Sequence, residues 1–122
     1  MLENFRSFQV TDPFDRVWAV EFRWQQNGIS IRHADTVDAK FWLTHDGEKI
    51  ERVVALPHPE LLRLAAKAGR DVSDAWCLKL AALHIEHMIS TWEDMEKTLV
   101  TINFNELEQY NAALEEAAAT LQ

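Results

Sequence analysis

Two histidines and a glutamate lie close together in the stretch ALHIEHMIST, residues 82–91. His84 and His87 are three residues apart, so on a helix both imidazoles can in principle reach one metal ion. The zinc metalloprotease helix differs, because its histidines are four residues apart and a glutamate directly follows the first. Glu86 also points about 80° away around the helix, and no Glu-x-x-His pair of the di-iron type is present. The stretch therefore predicts neither a metal site nor a cofactor.

Three further polar side chains are expected to join His84 in one cluster. His33, Asp35 and Arg52 fall at strand positions that the alternation pattern assigns to the apolar face of a sheet. The helix that carries His84 is the natural cover of that face. Polar side chains there are costly unless they satisfy one another or line a pocket. Two alternatives stay open: a buried Asp35–Arg52 ion pair beside His33, or a cleft for a small acidic or polar ligand.

Imidazole and carboxylate groups in such a cleft could carry out acid–base chemistry near neutral pH. The sequence offers little else for catalysis, because it has no nucleophile elbow, no cofactor motif and only three glycines for a phosphate loop. A buried polar cluster is more often structural than catalytic. We therefore expect a module without enzymatic activity, and a small-molecule-binding or hydrolytic pocket is the alternative.

Strand-forming patterns precede this helix in the chain. Between residues 5 and 56, apolar and polar residues alternate with the period of two that predicts half-buried β-strands. Asn27-Gly28 and Asp46-Gly47 are dipeptides typical of tight type I′ hairpin turns. The registers expected from these turns pair Phe22 with His33, Val20 with Asp35, Phe41 with Arg52 and Leu43 with Ile50. The pattern thus predicts an antiparallel meander of four strands.

The second half of the chain has the period of helices. We expect three helices over about residues 59–68, 74–97 and 105–121, with an extended segment at about 98–102 before the third. Ser73 can cap the second helix, and Asn105 with Glu108 forms a capping box for the third. The polar stripe of the second helix is narrow, so the sheet and the other helices should cover it on several sides. The expected fold is a single α+β domain, residues 1–122.

Two surfaces are candidates for association with a second copy or a protein partner. Trp18, Trp24, Trp76 and Trp92 are assigned to the core, which leaves Trp42 beside Val53 on the outer face of the sheet. The third helix carries a seam of apolar residues at alternating spacings of three and four, namely Leu107, Tyr110, Leu114, Ala117 and Leu121. The seam either packs on its own domain or forms a two-fold dimer contact. We expect a homodimer or a partner-binding module.

Composition excludes several classes of function. The net charge is −8, and the twelve lysines and arginines are scattered, so binding to nucleic acid is not expected. No stretch approaches the ~20 apolar residues of a membrane span, and the first residues lack the pattern of a signal peptide. The single cysteine, Cys77, lies in an apolar helical context where a reduced thiol is usual. We expect a cytoplasmic protein.

Overall fold

The computed structural model describes residues 2–29 and 35–120 of the chain. The elements in order are β1 (Ser7–Thr11), β2 (Val17–Ile29), β3 (Asp35–His45), β4 (Glu48–Pro57), α1 (His58–Ala68), α2 (Asp74–Thr91), β5 (Leu99–Thr101) and α3 (Phe104–Thr120). Strands β1 to β4 form the predicted antiparallel meander, and β5 joins β4 in parallel, which gives the order β1-β2-β3-β4-β5. The predicted α+β fold is confirmed, and the segment expected only to be extended becomes a fifth strand.

The core lies between one face of the sheet and the helices. In the middle of β3 the odd positions are buried, with Ala39, Phe41 and Leu43 each 0% exposed, while the even positions beside them are half-buried. Helices α1 and α2 pack on this face, and α3 packs on α1 and α2. Eleven of the 18 residues of α2 are buried, as expected for a helix covered on several sides. None of the helices in residues 2–29 and 35–120 is long and apolar enough to span a membrane.

The Asp46-Gly47 turn forms as predicted. Asp46 and Gly47 have φ angles of 50° and 81°, and positive φ at both central positions is what a type I′ turn requires. The predicted register also forms, because Leu43 pairs with Ile50 and Phe41 with Arg52. A local turn preference and the apolar pattern of both strands agree here, so the sequence alone defines the hairpin.

The turn predicted at Asn27-Gly28 is wrong. Strand β2 continues through both residues to Ile29, which pairs with Asp35. The pairs predicted for Phe22 and Val20 are replaced by Phe22 with Phe41 and Val20 with Leu43, also on the core face. This register sets apolar rows opposite one another, and burying such side chains contributes about 1.5–3 kcal/mol each, more than a turn preference. The connection to β3, which includes His33, lies outside the residues that the structure describes.

A bulge at Arg23 changes the face on which the end of β2 lies. The register shifts between Phe22 and Trp24, and one extra residue in a strand moves every following side chain to the opposite face. Trp24 therefore pairs with Lys40 on the outer face and is 38% exposed. The prediction that Trp24 lies in the core is therefore wrong, because the alternation pattern does not reveal the bulge.

Asp12 anchors the turn between β1 and β2. Its carboxylate accepts hydrogen bonds from the backbone N–H groups of Phe14 and Arg16, from the Arg16 guanidinium at 2.6 Å and from the Trp18 indole at 3.0 Å. Burial disfavours the charged form, but these hydrogen bonds outweigh it and lower the pKa of Asp12 to about 2. The edge strand β1 is thereby fixed to β2.

Helix α2 ends at Thr91, about six residues earlier than predicted. Trp92 adopts a left-handed conformation with φ of 62° and packs 5.9 Å from Trp18, ring centre to ring centre. The chain then turns back so that Met95 is buried and β5 lies beside β4. The capping box of α3 is formed by Asn103 and Glu106, each accepting the other's backbone N–H, instead of the predicted pair two residues later.

Candidate functional site

The cluster expected from His33, Asp35, Arg52 and His84 is not assembled by the residues that the structure describes. Asp35 is exposed at the first position of β3, whereas Arg52 pairs with Phe41, six residues along the same strand. At about 3.3 Å per residue, the two backbone positions are roughly 20 Å apart, too far for an ion pair. His33 lies outside the described residues.

Arg52 instead forms hydrogen bonds that hold the loop after α2 against the sheet. Its Nε donates to the carbonyl of Met95 at 3.1 Å and Nη2 donates to the same oxygen, while Nη1 donates to the carbonyl of Glu51 at 2.6 Å. Partial burial lowers the pKa of the Arg52 guanidinium, and nearby Glu96 opposes this effect. Three of the five N–H donors of Arg52 are thus engaged by backbone carbonyls.

His84 faces α3 and not the sheet. It is 3% exposed, and its Nδ1 is hydrogen-bonded to the Tyr110 hydroxyl at 2.7 Å, with the nearest Glu106 carboxylate oxygen at 3.7 Å. Burial lowers the pKa of His84 in spite of the opposing charge of Glu106. Burial also raises the pKa of Tyr110, and the charges of Glu106 and Glu93 act in the same direction. At neutral pH the pair is therefore an uncharged imidazole bound to an uncharged phenol.

The pattern of α3 contained a signal for this contact. Glu106 and Tyr110 are four residues apart, which places them on the same side of a helix. The predicted apolar seam includes Tyr110, but the sequence pattern predicts no role for Glu106 near His84. Which side of α3 would meet α2 depended on tertiary packing, so the spacing alone could not identify their partner.

His87 lies at the edge of the same polar group. Its Nε2 is 3.2 Å from a carboxylate oxygen of Glu93, and its ring centre is 6.2 Å from that of His84. Within residues 2–29 and 35–120, no group of three histidine, cysteine, aspartate or glutamate side chains is arranged to hold a metal ion. Cys77 is buried and free, and burial raises its pKa to about 11, which makes the thiol a poor ligand and nucleophile.

An open cleft of about 590 Å³ lies between β1, α2 and α3. Its walls are formed by Gln9, Val10, Thr11, Leu83, Glu86, His87, Ser90, Tyr110 and Ala113. Ser90 Oγ donates to the backbone carbonyl of His87 at 3.2 Å and not to an imidazole. This serine is consequently not activated as a nucleophile, and the cleft offers hydrogen-bonding groups and one carboxylate for binding.

A second candidate surface is the outer face of the sheet, which we define as the face opposite the helices. Its apolar members are Val17, Ala19, Trp24, Trp42, Val53, Ala55 and Leu99. Trp42 is half-buried between Lys40 and Lys49, whose Nζ atoms lie 4.9 Å and 4.8 Å from its ring centre. Lys40 also pairs with Glu51 at 2.6 Å. Aromatic groups and charges of both signs are thus mixed on this face.

The apolar seam of α3 is largely occupied within the chain. Leu107 is 0% exposed in the core, and Tyr110 and Leu114 are partly buried against it. Leu121 lies outside the described residues. Of the predicted interface residues that the structure describes, Trp42 and Val53 are therefore the two on the face of the sheet opposite the helices.

The chain matches no protein-family model, and neither a curated protein nor a solved structure is detectably similar to it.

Proposed function

We propose that the chain is a homodimeric interaction module whose two copies associate through the outer face of the sheet. One observation carries the proposal: in the part of the chain that the structure describes, all helices pack on the opposite side, and Trp42 and Val53 face outward. Aromatic residues are enriched at protein interfaces, where they contribute large apolar areas.

The charges around Trp42 favour a second copy as the occupant. Two identical chains of net charge −8 repel each other through most of their surface. The side chains that surround Trp42 are an exception, because two lysines, Lys40 and Lys49, alternate with two glutamates, Glu21 and Glu51. A two-fold axis through this patch can set each lysine opposite a glutamate of the other copy, since such an interface is self-complementary.

The area of the outer face is also large enough for a protein interface. Strands about 4.8 Å apart and central strands roughly 30 Å long give a surface on the order of 600 Å². A standard protein interface buries about 800 Å² of accessible surface on each partner. Because a pleated sheet has more accessible surface than projected area, the two values are comparable. Sheets pack face to face with their strands near −30° or 90°, so two such faces can meet without rearrangement.

The test is the oligomeric state of a Trp42→Lys variant in sedimentation equilibrium. Glu21 and Glu51 lie directly across from position 42 on the neighbouring strands, so a lysine there has two opposite charges beside it as well as the like charges of Lys40 and Lys49. We expect the fold to be retained, because position 42 is only half-buried and does not belong to the core cluster, while a charge is placed at the centre of the proposed interface. We expect the wild type to be a dimer and this variant to be a monomer.

Leu62→Lys is the matched control, because Leu62 is 53% exposed on α1, on the helical side. This variant should remain a dimer. A wild-type chain that stays monomeric at about 100 µM, where a dimer with a micromolar Kd would be largely associated, would overturn the proposal. Loss of the dimer in both variants would also overturn it, because the contact would then not be specific to the outer face.

The hydrolytic alternative has less support, since Arg52 is engaged by backbone carbonyls and His84 by Tyr110. We keep the cytoplasm as the proposed compartment, on the basis of the single buried thiol of Cys77.

A further inference from the structure

The free edge of β1 presents an ordered row of backbone hydrogen-bonding groups. Arg6 accepts from the N–H of Phe22, and Asp12 donates to the carbonyl of Arg16. In an antiparallel ladder the bonded residues alternate, so the even positions of β1 turn their N–H and C=O groups toward β2. The same groups of Ser7, Gln9 and Thr11 consequently point away from the sheet.

The cleft described above runs along this edge. Gln9 and Thr11 form one wall, and the polar side of α2, with Glu86 and His87, forms the other. A strand added beside β1 would continue the sheet, and every second side chain of that strand would point into the cleft. The space of about 590 Å³ is of the size that proteins use to hold ligands.

Edge strands are usually protected against such pairing by charges, prolines or bulges. The sequence of β1 is SFQVT, which contains none of these residues, and its register with β2 is regular. Among residues 2–29 and 35–120, no further strand pairs with the edge between Ser7 and Thr11, which is therefore chemically open to another strand.

We propose that an extended segment of a partner protein binds as a sixth strand along β1, with a lysine or arginine side chain placed over Glu86. Binding by strand addition takes its affinity from backbone hydrogen bonds and its specificity from pockets for alternate side chains. The partner contacts the backbone edge of β1 and the cleft beside it, two strands away from Trp42, so it adds a second kind of partner to the proposed dimer.

The negative charge of Glu86 in the cleft favours a basic side chain on the partner segment. Glu86 is half-buried in the wall and forms no ion pair with the other residues described. The same wall holds no lysine or arginine among those residues, and Glu93 lies next to His87. Val10, Leu83 and Ala113 provide apolar contacts beside the carboxylate. The partner segment should thus carry aliphatic residues two positions before and after its basic residue.

The probe is a capped seven-residue peptide with threonine at its odd positions and valine, lysine and valine at positions two, four and six. Its inward side chains match the cleft, and a second peptide with glutamate in place of lysine serves as the control. Calorimetric titration of the full chain should detect the lysine peptide and give at least tenfold weaker binding for the glutamate peptide. Hydrogen exchange should slow at the amides of Ser7, Gln9 and Thr11.

Gln9→Pro removes an outward N–H group and leaves the ladder with β2 intact, because proline is tolerated where an edge N–H faces solvent. We expect Gln9→Pro to weaken binding of the lysine peptide about tenfold. Gln9→Val keeps the N–H group, so it should bind the peptide with the affinity of the wild type. Glu86→Lys should reverse the preference between the two peptides without touching the strand.

Three results would overturn this proposal. The first is the absence of binding of the lysine peptide at millimolar concentration, and the second is equal binding by the wild type and Gln9→Pro. The third is occupation of the edge by another copy of the chain, which would appear as a dimer that Gln9→Pro dissociates and Trp42→Lys leaves intact. That last result would contradict the proposed dimer contact as well, whereas the first two leave it standing.

Discussion

Phe41 and Trp42 are neighbours in β3, yet they lie in opposite environments. Phe41 is 0% exposed and packs edge-to-face on Phe22, with ring centres 5.7 Å apart. Trp42 faces outward and is flanked by the lysine side chains of Lys40 and Lys49. The difference arises because successive side chains of a strand point to opposite faces, and the helices in residues 2–29 and 35–120 cover only the face that carries Phe41, which we call the inner face. Burial and not residue type decides which aromatic residue stabilises the fold.

The largest expected effect is on the inner face. Phe41→Ala should lower the free energy of unfolding by about 3–5 kcal/mol, because it removes a fully buried ring and leaves a cavity. Urea denaturation measures the loss. Trp42→Ala is the matched variant one residue away, and at a protein concentration low enough to keep the chain monomeric it should lower the free energy of unfolding by less than half as much. Equal losses at the two positions would contradict the comparison between the faces.

A smaller effect is expected where a buried polar contact joins the helices behind the inner face. The Trp76 indole donates to Asn111 Oδ1 at 3.0 Å, and both residues are buried. Asn111→Ala leaves that N–H group without its partner, so we expect a loss of about 1–3 kcal/mol in urea denaturation. Gln109→Ala, at an exposed position of the same helix, should change stability by less than about 0.5 kcal/mol. A similar loss in the free energy of unfolding for both variants would show that the buried hydrogen bond does not stabilise the fold.

The pH dependence of stability tests the polar contact between α2 and α3. Burial lowers the pKa of His84 below its ordinary value of 6.5, so the unfolded chain binds more protons than the folded chain in this range. The contribution of neutral His84 to the free energy of unfolding is fully present above pH 6.5 and is lost as the pH falls below that value. Unfolding by urea at pH 7.5, 6.5 and 5.5 should show this decline in the wild type. His84→Gln should flatten the slope, and His58→Gln, at the start of α1, should keep it.

The smallest effect is expected on the outer face. Lys49 is exposed and lies over the Trp42 ring, and an exposed cation–π contact contributes about 0.5–1 kcal/mol. Lys49→Ala should therefore lower the free energy of unfolding by no more than about 1 kcal/mol. The urea midpoint measures this change at a fixed protein concentration. A loss as large as that of Phe41→Ala would mean that the outer face is part of the core.

The two turn dipeptides show how far local sequence specifies this fold. At Asp46-Gly47, turn chemistry and the apolar pattern indicate the same register, and that register forms. At Asn27-Gly28, turn chemistry indicates one register, whereas pairing of Phe22 with Phe41 requires another, and the second prevails. Burial of several large side chains outweighs a preference of one dipeptide.

The candidate site could be predicted less well than the fold. The expectation of His33 and Asp35 near Arg52 rested on the register of the first hairpin, and that register does not form. The partners of His84 come from α3, more than twenty residues later in the chain, through a contact between two helices. Hairpin registers propagate from a local turn, whereas the rotation of one helix against another depends on the whole core.

Amino-acid sequence alone determined the α+β class, the order of the first four strands and the three helices, the second hairpin and the outward position of Trp42, because these follow from local periodicity and turn chemistry. Tertiary structure decided the bulge at Arg23, the early end of α2 and the pairing of His84 with Tyr110. Each of these depends on burying side chains that are distant in the chain, and such burial is a property of the assembled core.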